Sequence, residues 1–378
     1  MLTKTAPSST GSPDSKGLCV VHLCEAVRGG VATYLLDLLD HQRQQKDISR
    51  LVVVGDPQRI TPELRAAAPE FVPYPTTRRP WALPRTLSAL WKILRDLNPD
   101  IMHLHSTFPG VYGRLPGRWD RGHAKIVYCP HGWSFSQPLP TSARLAYEVT
   151  ENLLARRSDA IIAISQHEAR QARRIGIRDS IIHCLPTTLR DCPPAPRRDF
   201  GLKSGILAIG FLGRFDPQKG YDVFCTATSH VRRPDMAFLA FGGYDRERDK
   251  IHAPPGPHIQ ESGWVPQTEV DSYLAGMDAL VMPSQIEGFG LVAVEALRNG
   301  TPVIASRRGG LPELIEDGVS GFLFDPAHPD QLTRLLQNLD GNRLHAMRAA
   351  ARARFEHLCL HRDHRAETFD IYRSLVAE

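Results

Sequence analysis

Short runs of branched apolar residues alternate along this chain with longer amphipathic segments, and this alternation limits the fold more than any other feature. Each run is rich in Val, Ile and Leu and is typical of a strand buried in a sheet. In the first half the runs are 18–24, 50–55, 100–105, 125–129 and 160–165. Helical patterns lie between them, over 31–42, 83–97 and 142–157. Such alternation predicts an α/β fold with parallel sheets and helices on both faces.

The pattern stops at a proline-rich segment, 191–201, that can continue neither a strand nor a helix. It then restarts with runs at 205–213, 236–243, 258–263, 279–284, 301–307 and 321–326. A chain of 378 residues exceeds what one hydrophobic core usually supports. We therefore predict a disordered tail (1–16), a first doubly wound domain (17–190), a linker (191–201) and a second such domain (202–360). Ligands bind beyond the carboxyl ends of strands in such sheets, so two facing domains would form a cleft.

The net charge of +5 is unevenly distributed, which restricts the partners. Residues 1–190 hold 25 basic against 16 acidic residues, or +9, and the remainder holds 21 against 25, or −4. A basic half favours an anionic membrane surface or a phosphorylated substrate, and a solvated surface tuned for solubility explains it equally well. No nucleic-acid partner is expected. The seven cysteines include no C-x-x-C pair, which argues against a disulfide framework or a thiolate zinc site.

The sequence also predicts where the protein resides in the cell. No apolar run approaches the roughly 20 residues that a membrane-spanning helix needs. The first 16 residues lack the apolar core of a secretory signal, so a cytoplasmic location is expected. The basic segment 77–97 could lie on a membrane surface as an amphipathic helix. Its leucines fit a helix packed on the sheet better, and we favour that interpretation.

Cationic and acidic residues follow successive strands of the second half. Arg214 and Lys219 follow the run 205–213 and could hold the two phosphates of a diphosphate, although a solvated loop explains either residue alone. Glu287 and Glu295 flank a Gly-Phe-Gly turn before a helix. A carboxylate can accept hydrogen bonds from both hydroxyls of a diol, and amides near Gly290 at a helix start favour phosphate.

Each of these motifs also has a structural explanation. Ser284 to Glu287 matches the S-x-x-E capping box, which would make Glu287 a helix cap, but the glycines that follow interrupt such a helix. Gly309 and Gly310, followed by Pro312 at a predicted helix start, let backbone amides approach a ligand closely or simply form a tight turn. The three loop motifs follow predicted strands in sequence order within about 100 residues. Independent structural coincidences would rarely produce such an order.

In this order, the motifs resemble those of the retaining, nucleotide-sugar-dependent glycosyltransferases of family 4, which have the GT-B fold of two Rossmann-like doubly wound domains facing across a cleft. The likeness rests on the E-x7-E segment "EGFGLVAVEA", followed by "GTPVIAS" and "GGLPELI". It implies that Arg214 and Lys219 hold the donor diphosphate, that Glu295 binds the ribose and that Glu287 contacts the donor sugar. Further donor contacts are implied for the amides of Phe289, Gly290, Leu291 and Val292.

The resemblance also assigns roles outside this segment. It places the base pocket near Gly263 to Val265, and it has the C-terminal helix 361–378 cross back onto the first domain. In the first domain it puts Gly29 and Gly30 under the diphosphate, with Glu25 and Arg28 beside the acceptor.

Three histidines of the first domain are further candidates, one of them through the resemblance. His131 matches the family histidine that hydrogen-bonds the donor sugar near the reacting centre, which makes His131 and Glu287 the predicted catalytic residues. Many relatives carry an Asp where this chain has Gly132. His103 and His105 lie on one side of a predicted strand; a zinc site would need further ligands, and none is found at a fitting spacing. His105 is instead expected to border the acceptor.

The sequence therefore predicts a retaining glycosyltransferase that moves a sugar from a UDP- or GDP-sugar to an acceptor hydroxyl. The chain has no D-x-D motif, so we expect no metal and no cofactor besides the donor. A lipid-linked saccharide of bacterial surface polysaccharide assembly is the expected acceptor, at the inner face of the plasma membrane. The alternatives are a soluble acceptor or a catalytically silent nucleotide-sugar-binding protein. A phosphorylase is disfavoured, because no lysine has the context of a pyridoxal phosphate site.

Overall fold

The computed structural model describes residues 17–25, 29–74, 76, 81–115, 122–193, 195–244 and 258–377. A first sheet of seven parallel strands has the order β3-β2-β1-β4-β5-β6-β7. Its strands are β1 (Leu18–Leu23), β2 (Ile48–Gly55), β3 (Glu70–Pro73), β4 (Ile101–His105), β5 (Lys125–Cys129), β6 (Ala160–Ala163) and β7 (Ile182–Cys184). All five predicted strands are present. Two further short strands, β3 and β7, extend the sheet at its edges.

A second sheet of six parallel strands has the order β10-β9-β8-β11-β12-β13. Its strands are β8 (Leu207–Arg214), β9 (Met236–Gly243), β10 (Ile259–Ser262), β11 (Ala279–Met282), β12 (Val303–Ser306) and β13 (Gly321–Phe324). Each corresponds to one predicted run. The α/β architecture with two doubly wound sheets is thereby confirmed.

Helices cover both faces of the sheets. Those that follow strands of the first sheet are α1 (Gly30–Gln42), α2 (Pro62–Ala67), α3 (Leu83–Leu97), α4 (Thr107–Arg114), α5 (Thr141–Ala155) and α6 (Gln166–Arg174). The second sheet is followed by α7 (Tyr221–Ser229), α8 (Val270–Gly276), α9 (Leu291–Arg298), α10 (Leu311–Leu314), α11 (Asp330–Gln337) and α12 (Gly341–Cys359). The last helix is α13 (His364–Ala377). None of the described helices is both long and apolar enough to cross a bilayer.

Leucine spacing determines how α3 lies. Leu90, Leu94 and Leu97 are buried in the core of the first domain. The packed alternative that we favoured for this helix is therefore confirmed. The basic residues Arg78 and Arg79, which precede it, lie outside the described residues.

The strand order creates a crevice in each sheet. β1 lies between β2 and β4, and β8 lies between β9 and β11, so the chain changes direction across the sheet at these two strands. Loops that leave neighbouring strands there in opposite directions open a space at the carboxyl ends. The loops after β1, β8 and β11 carry most of the predicted site residues.

The last helix packs on the first domain rather than the second. Arg365 binds both carboxylate oxygens of Asp37 on α1, at 2.9 and 3.0 Å, and His364 Nδ1 lies 2.9 Å from the Thr188 hydroxyl. The preceding helix, α12, packs instead on α9 of the second domain. The chain therefore passes between the two sheets once before β8 and again between Cys359 and His364.

Candidate active site

Arg214 and Lys219 lie in the loop after β8, and both are paired with acidic residues. Arg214 Nη2 lies 3.2 Å from Asp216 Oδ2, and Lys219 Nζ lies 2.7 Å from Glu287 Oε2. Gly220 closes this loop with φ of 73°, and a Cβ atom there would lie 2.0 Å from the Pro283 carbonyl oxygen. Glycine is thus required to bring the cations against the end of β11.

The Gly-Phe-Gly turn positions Glu287 outside the helix that follows. Helix α9 begins at Leu291 behind Gly290, which has φ of 110°, so Ser284 is not its cap. The capping-box interpretation is therefore wrong, because two glycines separate that tetrapeptide from the helix. The Ser284 hydroxyl instead donates to Glu287 Oε2 at 3.3 Å.

Close backbone packing holds the turn in place. A Cβ atom on Gly309 would lie 1.6 Å from the Glu287 carbonyl oxygen, and one on Gly310 would lie 2.9 Å from that of Gly288. The paired glycines after β12 thus allow the two loops to stack. The amides of Leu291 and Val292 belong to the first turn of α9, where backbone N–H groups have no helical partner and favour an anion.

Glu295 lies in the second turn of α9 and is only 5% exposed. Burial raises the pKa of its carboxyl to about 7, against the opposing effects of Arg298 and of a hydrogen bond from Gln267. Gln267 Nε2 donates to Glu295 Oε1 at 3.1 Å. A carboxyl held in this way near neutrality can accept two hydroxyl donors once it is ionised.

The residues predicted to form the base pocket lie beside the end of β9. Val265 is half-buried and packs against the hydrophobic core. Its neighbour Trp264 is 59% exposed, and the indole nitrogen lies 2.7 Å from the place where a Gly243 Cβ would be. The predicted range included Trp264 without assigning a role to its side chain, an exposed aromatic ring of the kind on which a nucleobase can stack.

The loop after β1 faces the start of α9 across the cleft. A Cβ atom on Gly30 would lie 3.2 Å from Leu291 Cδ1, and Gly29 has φ of 55°. Glu25 is buried, and Arg59 donates to its Oε1 at 2.5 Å. Arg59 was not predicted, because it belongs to a different loop. Arg28, the other predicted acceptor residue, lies outside the described residues.

His131 follows β5 in a left-handed conformation, with φ of 51°. Its ring turns inward, with Nε2 at 3.1 Å from His105 Nδ1 and Nδ1 at 3.7 Å from Cys129 Sγ. Burial lowers the pKa of His131 to about 3, so the ring is neutral.

His105 does not border the cleft as predicted. It is 1% exposed, and its two ring nitrogens face His131 and His22. The prediction for His105 is wrong because His105 and His103 point to the same face of the sheet, which α1 and α13 cover.

The same face holds a third histidine that spacing did not reveal. His22 on β1 is the register partner of His103 on β4. One ring nitrogen from each of His22, His103 and His105 lies within 4.8 Å of the other two, and the three side chains are buried. This group lies in the core of the first domain and apart from the loops that carry Arg214 and Lys219.

A further carboxylate, that of Glu313, joins the domains, and a second, that of Glu168, lies beside the Gly-Phe-Gly turn. Glu313 on α10 accepts hydrogen bonds from the backbone amides of Gln166 and His167 at the start of α6, at 2.8 and 2.6 Å. Glu168 Oε1 lies 3.1 Å from the place where a Gly288 Cβ would be, and burial raises the pKa of Glu168 to about 7. Sequence reasoning named neither as a site residue, because the contacts of both depend on residues distant in the sequence.

The structure thus brings the predicted residues of the second domain to one cleft wall and places Gly29, Gly30 and the backbone of the His131 loop on the opposite wall. Cations, helix amides and an acidic pair next to one another can bind an anion joined to polyhydroxyl groups.

Comparisons with known proteins agree with this arrangement. Residues 195–354 match the family described as glycosyl transferases group 1, and residues 28–189 match glycosyltransferase family 4. An uncharacterised 41.2 kDa protein from the cps region of Klebsiella pneumoniae is 30% identical over 335 residues, covering 86% of this chain and 90% of that protein. The Escherichia coli UDP-Gal:α-D-GlcNAc-diphosphoundecaprenol α-1,3-galactosyltransferase is 26% identical over 259 residues, covering 64% of this chain and 66% of the enzyme.

A solved structure extends the likeness to the whole fold. The Anabaena protein HepE, in complex with UDP and glucose, superposes with a TM-score of 0.75 at 17% identity, covering 96% of this chain and all of that one. The chain belongs to the family 4 glycosyltransferases and has their GT-B fold.

Proposed function

We propose that this protein is a retaining glycosyltransferase that transfers a sugar from a UDP-sugar to a lipid-diphosphate-linked saccharide during assembly of a surface polysaccharide. One observation carries the proposal: Arg214, Lys219, Glu287 and the start of α9 lie together at the switch point of the second sheet, with Glu295 one turn along the helix. UDP is favoured over GDP because the E. coli relative is named for UDP-Gal and the Anabaena structure holds UDP.

The diphosphate would replace the acidic partners of the two cations. Lys219 is paired with Glu287 and Arg214 with Asp216, so an entering diphosphate competes for both. Glu287 is then released to accept a hydroxyl of the sugar to be transferred. The cations and the α9 amides neutralise the charge that develops on the departing phosphate, which supports transfer without a metal ion.

In the proposed route the phosphate leaves and the acceptor hydroxyl attacks on the same face of the sugar. None of the carboxylates that we assign to the site is required as a nucleophile, because Glu287, once released from Lys219, is assigned to a sugar hydroxyl and Glu295, which Gln267 hydrogen-bonds, to the ribose. The leaving phosphate oxygen can then take the proton of the attacking hydroxyl. This front-face route retains the configuration of the transferred sugar.

An exposed apolar stripe supports a membrane-bound acceptor. Leu145, Val149 and Leu153 recur every four residues along α5 and are 59%, 49% and 53% exposed. The stripe is flanked by Arg144 and Arg156, both exposed. Apolar side chains with arginines beside them can insert at an anionic lipid surface. We therefore place the membrane contact on α5 rather than on α3, whose leucines are buried.

Two experiments test the proposal. The purified chain is incubated with UDP-galactose or UDP-glucose, GlcNAc-diphosphoundecaprenol and an excess of chelator, and the anomeric configuration of any product is read by NMR. An α-linked product would support transfer with retention and without a metal ion. A β-linked product, or transfer from GDP-sugars alone, would contradict it.

The membrane contact is tested separately with vesicles. The variants are Leu145→Glu and Leu153→Glu, at the two ends of the stripe, with Leu360→Glu, also exposed, as the matched control. Both α5 variants should reduce sedimentation with phosphatidylglycerol vesicles at low salt, whereas the control should not. Equal binding by all variants would exclude α5 as the contact.

A further inference from the structure

Histidines form a continuous chain of hydrogen bonds from the cleft into the core of the first domain. His131 Nε2 lies 3.1 Å from His105 Nδ1, and His105 Nε2 lies 2.9 Å from His22 Nδ1. The chain ends at Gln42 of α1, whose Oε1 lies 2.7 Å from His22 Nε2. Nothing in the transfer reaction as described above uses these buried groups.

Gln42 determines the direction of every bond in this chain. An amide oxygen only accepts, so His22 must carry its proton on Nε2 and present a lone pair at Nδ1. That lone pair requires a proton on His105 Nε2, which leaves His105 Nδ1 to accept from His131 Nε2. Each step holds because a neutral imidazole has one N–H and one lone pair.

The surroundings keep the rings neutral. Burial lowers the pKa of His22 to about 4 and that of His105 well below the ordinary value for histidine. No second proton is therefore available on either ring near neutral pH.

The last helix also contacts Gln42. Gln42 Nε2 donates to the Tyr372 hydroxyl at 3.3 Å, and that hydroxyl lies 2.6 Å from His103 Nδ1. A hydroxyl that accepts from Gln42 keeps its own proton to donate to His103 Nδ1. The observed orientation, with the amide oxygen facing His22, therefore leaves both ends of the Gln42 amide bonded.

We propose that Gln42 is a positioning residue which, through His22 and His105, holds His131 in the tautomer protonated at Nε2. Nδ1 of His131, on the other side of the ring, then has a lone pair that accepts a hydrogen bond from the Cys129 thiol, whose Sγ lies 3.7 Å away. The catalytic meaning of this restriction, that a sugar hydroxyl reaching Nδ1 must displace the thiol and act as the donor, rests on the proposed function. The tautomer itself does not.

A metal ion at His22, His103 and His105 would require the opposite arrangement. The ion needs a lone pair on the His105 nitrogen that faces His22, so the proton of His105 would have to move to Nδ1. His105 Nδ1 would then donate to His131 Nε2, and the proton of His131 would lie on its own Nδ1. The three described ligands include no carboxylate or thiolate to offset the charge of an ion. Two of their nitrogens already share a hydrogen bond, so the hydrogen-bonded arrangement is favoured.

The test is ¹⁵N NMR of the full chain with labelled histidines, in which protonated and unprotonated ring nitrogens have different chemical shifts. The chain has 16 histidines, and the His131→Gln spectrum identifies the His131 signals by their loss. The test variant is Gln42→Leu. Gln42→Glu retains the acceptor oxygen, and Gln45→Leu removes a neighbouring amide that bonds His41 instead. Thermal unfolding confirms that each variant is folded.

The wild type should show His131 protonated at Nε2 alone. Gln42→Leu should add a second set of His131 signals from the other tautomer, while Gln42→Glu and Gln45→Leu resemble the wild type. An Nδ1-protonated His131 in the wild type, no change in Gln42→Leu, or one equivalent of bound metal in the purified protein would each overturn the proposal. A chain with the expected tautomer that binds no UDP-sugar would instead refute the proposed function.

Discussion

Binding of a UDP-sugar should tighten as the pH rises through about 7, because Glu295 must lose its proton to accept two ribose hydroxyls. Burial raises the pKa of this carboxyl to about 7, so it is mostly protonated in mildly acidic solution. The protonated form keeps one O–H as a donor and accepts less well at that oxygen. Binding therefore selects the ionised form, and the affinity follows the ionised fraction.

The size of the effect follows from that pKa. About one tenth of the carboxyl is ionised one pH unit below the pKa, and about nine tenths one unit above it. The dissociation constant should thus fall about tenfold between roughly pH 6 and pH 8, a change of about 1.4 kcal/mol.

Titration calorimetry with UDP-glucose measures this change, since the diphosphate of a nucleotide sugar has no proton to lose near neutral pH. In the acidic part of the range, binding should release close to one proton, which buffers of different ionisation enthalpy reveal. Glu295→Gln should bind more weakly and lose the pH dependence. Glu168→Gln is the matched control, because the pKa of Glu168 is also raised to about 7. An affinity that is flat with pH, or a slope that persists in Glu295→Gln, would refute the assignment.

Three further predictions concern single side chains. Lys219→Ala should weaken UDP-glucose binding by about 10- to 100-fold in calorimetry, since a hydrogen bond to a charged group contributes about 1.5 to 3 kcal/mol. Glu313→Ala removes the acceptor of two amides on the opposite domain, so hydrogen exchange at Gln166 and His167 should accelerate without a change in the unfolding midpoint. Arg114→Met should destabilise the protein by about 3 to 5 kcal/mol in urea unfolding, because it leaves the buried Glu151 carboxylate uncompensated at the 2.7 Å ion pair.

Each of these variants has a control. Lys203→Ala removes an exposed lysine of the same domain and should bind normally, and Glu316→Ala, near Glu313 in sequence, should leave the exchange unchanged. Adding Glu151→Leu to Arg114→Met should recover part of the lost stability, as both buried charges are then absent. A double variant no more stable than Arg114→Met would show that packing, not charge, dominates at this pair.

Features encoded by local sequence were predictable. The strands of the second domain and α3 follow from apolar periodicity within each segment, and the predicted range 83–97 matches α3 to the residue. The loop residues Arg214, Lys219, Glu287 and Glu295 could be grouped because parallel strands deliver their carboxyl ends to one edge of a sheet.

Features that depend on contacts across the chain were not predictable. His22 lies beside His103 because β1 and β4 are neighbouring strands and these two residues are register partners. Residue spacing within one segment cannot predict such a pairing. Arg59 reaches Glu25 from another loop, and Glu313 caps a helix of the opposite domain. The short strand β7, with only three residues, carries too little periodicity to be distinguished from a loop.

The path of the last helix has a consequence for how such enzymes can be recombined. Because α13 returns to the first domain, the second domain is an insertion with both ends attached to that domain. The two junctions are adjacent: Leu189 to Asp191 and Cys359 to Asp363 line one surface depression, and Arg352 binds Asp191 at 2.6 Å. The second domain of a relative could therefore be exchanged as one unit through two neighbouring splice points, leaving the first domain and the C-terminal helix intact.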